Sequence, residues 1–280
     1  MALKTPVVDR VPTYPGRVKL TPVSGQTNVY DMVREDSPVT EGTPLNKALF
    51  DQKAYTLTES VTVYVNGSSG SDVTGTGAST APYKTIQAAV DSIPKCLGGY
   101  HAQIDIAAGT YVERVTIDGF YGGRLTIGAA DRTVTVSGIS VQSSASVRIN
   151  VSNITYNANH AGALLYAGYG SNVTIIRGIT FRGGDAAVQG ISAAHGSVVS
   201  AAGYTTAFLN FGAACVLATS GAIVALETVE GNSNTSRGLW AERGAVISYA
   251  TKNLTATAGD FSGTGGRVNT SGNLTPASVG

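Results

Sequence analysis

The chain repeats one sentence in different words, and that repetition limits its fold more than any other feature. "GSNVTIIRGITF", from Gly170 to Phe181, returns as "HGSVVSAAGYTTAF", "SGAIVALETVEG" and "RGAVISYATKN". With Gly170 as anchor, matching positions fall at Gly122, Ser144, Gly196, Gly221 and Gly244, so that successive anchors are 22, 26, 26, 25 and 23 residues apart. Fixed offsets from the anchors form columns. Five residues before them stand Ile117, Ile139, Leu165, Ile191, Val216 and Leu239, and three before them Gly119, Val141, Ala167, Ala193, Ala218 and Ala241. Three residues after them stand Leu125, Val147, Val173, Val199, Val224 and Ile247, and five after them Ile127, Ile149, Ile175, Ala201, Leu226 and Tyr249. Each column is apolar or small, and the positions between are mostly polar.

Alternation with a period of two marks strands that turn one face inward. A unit of 22 to 26 residues cannot enclose a core by itself. It suits one coil of a solenoid, whose strands pair with their counterparts one coil later and stack the inward side chains. A further strand after each anchor, as in "GITF" and "NITY", brings the count to about three strands per coil, the pattern of a right-handed parallel β-helix. A β-sandwich also has short alternating strands, but its strands would not hold a shared column register over six repeats. A leucine-rich repeat would need a Leu-rich consensus and a recurring Asn, which the columns lack. Composition agrees with an all-β chain: 35 glycines, and only 13% Asp, Glu, Lys and Arg.

A solenoid must close its ends. In "APYKTIQAAVDSIPK", Thr85 is placed to cap a short helix whose apolar face is Ile86, Ala89, Val90 and Ile93, with Pro94 ending it. The predicted organisation is an N-terminal arm over 1–58, a strand and capping helix over 59–98, the β-helix over 99–256 and a C-terminal cap or tail over 257–280, where Val268 offers one further weak coil. The arm holds six of nine prolines and shows no sustained periodicity apart from a predicted short helix at "PLNKALFDQK". Alone, it could not bury a core.

The run "VTVYVNGSSGSDVTGTGASTAPYKTIQAAVDSI" followed by "IDIAAGTYVERVTI" resembles the opening of pectin-lyase-like β-helix proteins, common in phage tail spikes and cell-surface β-helix proteins. The resemblance covers about residues 60 to 255 and speaks to fold more than to activity. The words "PGRVKLTPV", "YDMVRED" and "EGTPLNKALFD" resemble the leading segment of structural proteins encoded in phages and prophages of Gram-positive bacteria. Together they imply a non-enzymatic component of a phage or phage-tail-like particle, a spike or fibre made in the bacterial cytoplasm. They further imply docking to other virion or tail-particle proteins through residues 1–58, a homotrimer, and a host cell-surface polysaccharide as ligand. Two other readings share the architecture: a polysaccharide depolymerase (lyase or glycoside hydrolase) and a bacterial surface adhesin.

The chemistry of the chain bears on these choices. Net charge is +1, which gives no electrostatic case for nucleic acid or an anionic membrane, and no stretch of eighteen apolar residues exists to span a bilayer. The opening "MALKTPVVDR" lacks a signal peptide's apolar run, which counts against the adhesin. No cofactor or metal motif appears, and Cys96 and Cys215 read as buried free thiols. Glycosidic cleavage needs paired carboxylates, or a metal cage with a base. Between Thr133 and Leu226 the only residues of the Asp, Glu, Lys and Arg types are Arg148, Arg177, Arg182 and Asp185. Asp185, His195, Glu227, Glu230 and Glu242 would be the catalytic candidates of an enzyme, yet no acid–base pair is assigned. Glycan-binding candidates are Tyr166 and Trp240, outward neighbours of inward columns and three coils apart, with His195 and Arg243 in a turn column.

Overall fold

The structure is a computed structural model that describes residues 11–14, 17–35, 38–40, 56–129, 131–144, 146–159, 162–184, 188–234 and 237–270. The chain divides into two compact units, 1–54 and 55–280. It is nearly all β, 54% strand and 3% helix, and the larger unit is a parallel β-solenoid of about seven turns.

Three ladders run along the solenoid. In the first, the inward residues stack as Val61, Ala102, Leu125, Val147, Val173, Val199, Val224, Ile247 and Val268, each in parallel register with the next. The second stacks Val115, Ile139, Leu165, Ile191, Val216 and Leu239. The third stacks Tyr111, Val136, Ile154, Phe181, Phe208, Gly231 and Leu254. The ladders end strand edges by giving each backbone a partner one winding away, and the inward columns merge into one apolar core. Phe181 and Phe208 stack inside it with ring centroids 5.2 Å apart, and Phe211 meets Phe208 edge-on at 6.0 Å.

The columns read from sequence are these ladders, with one correction at the first anchor. Val115 rather than Ile117 pairs with Ile139, and Ile117 rather than Gly119 pairs with Val141. The turn before Leu125 is longer: eight positions lead from Ile117 to Leu125, against six from Ala167 to Val173. A slip of two residues preserves which side chains face inward, so the apolar pattern could not reveal it. The ladder also starts earlier and runs later than the coil text, from Val61–Val65 to Arg267–Thr270.

Most corners are two-residue turns with both residues at positive φ: Tyr169 and Gly170 (55° and 72°), His195 and Gly196 (54° and 69°), Ser220 and Gly221 (53° and 74°), Arg243 and Gly244 (52° and 76°). Each glycine N–H donates to the carbonyl of the turn one winding on, as from Gly170 to His195 and from Gly196 to Ser220, both 3.0 Å. The corners therefore form an axial stack of their own.

The capping helix is Ile86–Ser92, with Ile86, Ala89 and Val90 buried against the core and Thr85 as N-cap accepting from the Ala88 N–H. Its first amides are met from another strand. The Glu113 carboxylate accepts from the N–H groups of Ile86 (2.8 Å) and Gln87 (3.0 Å). Asp72, in the Gly/Ser-rich loop, accepts from the N–H groups of Lys84 and Thr85.

The smaller unit departs from the sequence expectation of no sustained strand pattern. Val18–Pro22 pairs antiparallel with Tyr30–Arg34, and Val11–Pro12 with Pro38–Thr40. Alternation is present in "VKLTP" and "YDMVR", but each run lasts only five residues. Leu20 (57% exposed) and Met32 (70%) face each other on one side of this hairpin. The helix expected at "PLNKALFDQK" lies outside the described residues.

Candidate functional site

Two outward surfaces of the larger unit could hold a ligand. One is the corner where the second ladder meets the stacked turns. Tyr166 alternates with the inward Leu165 and Ala167 and so faces out, half-buried. Its ring lies along its own strand over Gly168, where a Cβ would stand 2.4 Å from the Tyr166 hydroxyl. Burial first, then the neighbouring Tyr169, raise its hydroxyl pKa above the usual tyrosine value. Tyr169 is 57% exposed and stacks flat on the exposed His195, with centroids 4.8 Å apart and planes within 1°. That separation is the strand spacing itself, because both rings occupy the same turn position in successive windings. The corner thus presents a stepped aromatic surface of Tyr166, Tyr169 and His195.

Trp240 and Arg243 stand elsewhere. Tyr166, Ser192, Leu217 and Trp240 are successive rungs, which places the two aromatics three strand spacings, about 14 Å, apart. Trp240 is engaged by its own neighbours. Phe261, one winding on, meets it edge-on at 5.8 Å, and the Arg237 guanidinium lies 4.0 Å from its ring centroid and 4.2 Å from that of Phe261. Its indole N–H is buried without a hydrogen-bond partner. Arg243 is exposed and 3.7 Å from the Glu242 carboxylate, which also accepts from Thr219.

The second surface was not legible as a site. It is an open groove of about 530 Å³ on the outward face of the third ladder. Two rows line it: Thr180, Ala207, Glu230 and Asn253 in register, and beside them Arg182, Leu209, Asn232 and Thr255. These residues alternate with the inward Phe181, Phe208, Gly231 and Leu254. The signal for them was the outward half of that alternation, which needs the register between coils before it becomes a row. The groove offers hydroxyls, carboxamides, a guanidinium and a single carboxylate, Glu230. That set can hydrogen-bond sugar hydroxyls, whereas hydrolysis between two carboxyl groups needs a second one.

The other acidic candidates are not gathered there. Glu227 and Glu230 are both exposed, Glu242 sits in the turn stack, and Asp185 lies outside the described residues. Among the described residues no group of three His, Cys, Asp or Glu is placed to hold a metal ion. The cysteines differ from expectation in one respect. Cys215 is buried, and desolvation pushes its thiol up to about 12, but Cys96 is half-exposed. Hydrogen bonds from Thr56, the Gly98 amide and Tyr121 lower the Cys96 pKa.

Neither the family models, nor the curated proteins, nor the solved structures contain a match to this chain.

Proposed function

We propose that the chain is a non-enzymatic structural component of a phage or phage-tail-like particle, a spike or fibre whose residues 1–58 dock to other particle proteins and whose β-solenoid binds host-surface glycan. The observation that carries this reading is the unbroken first ladder from Val61 to Val268. Such a ladder makes a stiff support that holds outward polar side chains in fixed rows. The likeness of the sequence to pectin-lyase-like spikes and to leading segments of phage structural proteins agrees with it. So do the exposed apolar side chains of the N-terminal hairpin, Leu20, Met32 and Val33, which suit burial against a partner. The spike analogy brings a homotrimer with it.

Docking is tested by asking whether the intact protein co-purifies with assembled particles while a version lacking residues 1–58 does not; equal recovery of both removes the anchoring role. Glycan binding is tested by titrating capsule and wall polysaccharides of candidate hosts against the protein and its Arg182→Ala and Asn232→Ala variants. Release of reducing ends or unsaturated sugars in the same mixtures would replace the structural reading with the depolymerase.

A further inference from the structure

Outside the groove, the outward face of the first ladder carries a second cluster with no assigned partner. Arg124 and Thr126 alternate with the inward Leu125 and Ile127, and Arg148 alternates with Val147 and Ile149. Arg148 is in register with Thr126, the residue two beyond Arg124. One strand spacing of ~4.8 Å and two residues of rise put the two arginine Cα atoms about 8 Å apart on the same face. His101 is in register with Arg124, and its Nε2 is 2.8 Å from the Thr126 hydroxyl.

Neither guanidinium has a hydrogen-bond or ion-pair partner among the described residues, and the Arg124 Nε is fully buried without one. The carboxylate on the neighbouring strand, Asp105, is taken by Arg132 at 2.5 Å. Arg177, from the same charge-poor stretch as Arg148, shows the contrast: it donates to the carbonyls of Ala129 and Arg132. Two unneutralised guanidiniums side by side, one with a desolvated donor, form an arrangement that a bound oxyanion completes.

We propose that Arg124 and Arg148, with Thr126 and His101 beside them, form a binding site for an oxyanion, the carboxylate or phosphate group of an acidic polymer. The site stands on its own geometry; only the choice of a host-surface polymer as the source rests on the function proposed above. Guanidinium forks match both groups in two-pronged fashion, so either source fits the same chemistry. His101 reports on the site. Burial, then the positive charges of Arg124 and Arg148, lower its pKa, and an anion between those arginines would offset the second cause.

The test titrates the full chain with sodium phosphate and sodium acetate at constant ionic strength while following the ring signals of His101 by NMR. A His101→Gln variant assigns the resonance among the three histidines. The expected result is a saturable shift with a rise in the His101 pKa, weakened about tenfold in Arg148→Gln and in Arg124→Gln. No saturable response to either anion, or an unchanged response in both variants, overturns the site. Circular dichroism confirms folding, and Arg148→Lys, which keeps the charge but loses the fork, is the fallback where Arg148→Gln does not fold. Polygalacturonate, a phosphodiester-linked teichoic acid and neutral dextran then separate the sources. Binding of one acidic polymer and not of dextran identifies its source. Anion binding without any polymer binding leaves the site intact and removes its use for a host-surface glycan.

Discussion

At the scale of single residues, two glycines make different demands. Gly196 sits at φ 69° with open space where a Cβ would go, so Gly196→Ala bears only the conformational cost of a left-handed residue, about 1 kcal/mol. Gly231 faces Phe208 across the third ladder, and a Cβ there would lie 1.8 Å from the Phe208 carbonyl oxygen. Gly231→Ala is expected to cost about 3 kcal/mol or to shift the strand, and chemical denaturation of the two variants side by side checks the ranking. Asn234 is more demanding still. Its side chain accepts from the Phe211 N–H and donates to the carbonyls of Phe208 and Thr255 where the strand pairing slips. Asn234→Ala strands three buried backbone groups and should cost about 3 kcal/mol. The sequence made the anchor glycines plain, because they recur at one offset. It could not single out Gly231 or Asn234, because their constraint comes from a strand one winding away rather than from neighbours in the chain.

At the scale of elements, the capping helix was readable down to its N-cap Thr85, but the group that holds its first amides was not. Ile86–Ser92 is only seven residues long, and a helix so short depends on tertiary support. Glu113 supplies part of it from a strand some 26 residues later. Glu113→Ala is expected to lower stability by about 1–2 kcal/mol and to increase hydrogen exchange at Ile86 and Gln87 before the ladders respond. Parity explains what the strands revealed. Inward columns are visible because their residues are apolar. The rows lining the groove mix Thr, Ala, Glu and Asn, so only the register shows that Thr180, Ala207, Glu230 and Asn253 are one row. Arg182→Ala is expected to weaken any glycan held in the groove several-fold without changing the unfolding midpoint, since Arg182 is exposed.

At the scale of the whole solenoid, the windings are interchangeable in register, and stability should respond to that. Removing residues 196–220, one repeat from Gly196 to Ser220, brings Val173 to the position where Val224 follows it, so the protein should remain folded with the same circular-dichroism signature. Removing one residue fewer turns the inward side chains outward and should abolish cooperative unfolding. Acid acts through His101. Its folded pKa is depressed, so the unfolded chain binds more protons as pH falls through the ordinary histidine range. Stability present above about pH 6.5 is therefore lost on acidification, and His101→Gln should flatten that part of the curve.

The same axial stacking decides how the molecule meets mechanical load. From Val61 to Val268 the first ladder makes eight steps of ~4.8 Å, so its backbone bonds carry tension in series over roughly 38 Å. A pull along that direction has no long strand to shear. It opens the terminal rung, and each opened rung frees one repeat of some 22 to 26 residues as slack. Stretching a single molecule should therefore give a sawtooth of small, nearly equal releases, beginning at whichever end is gripped.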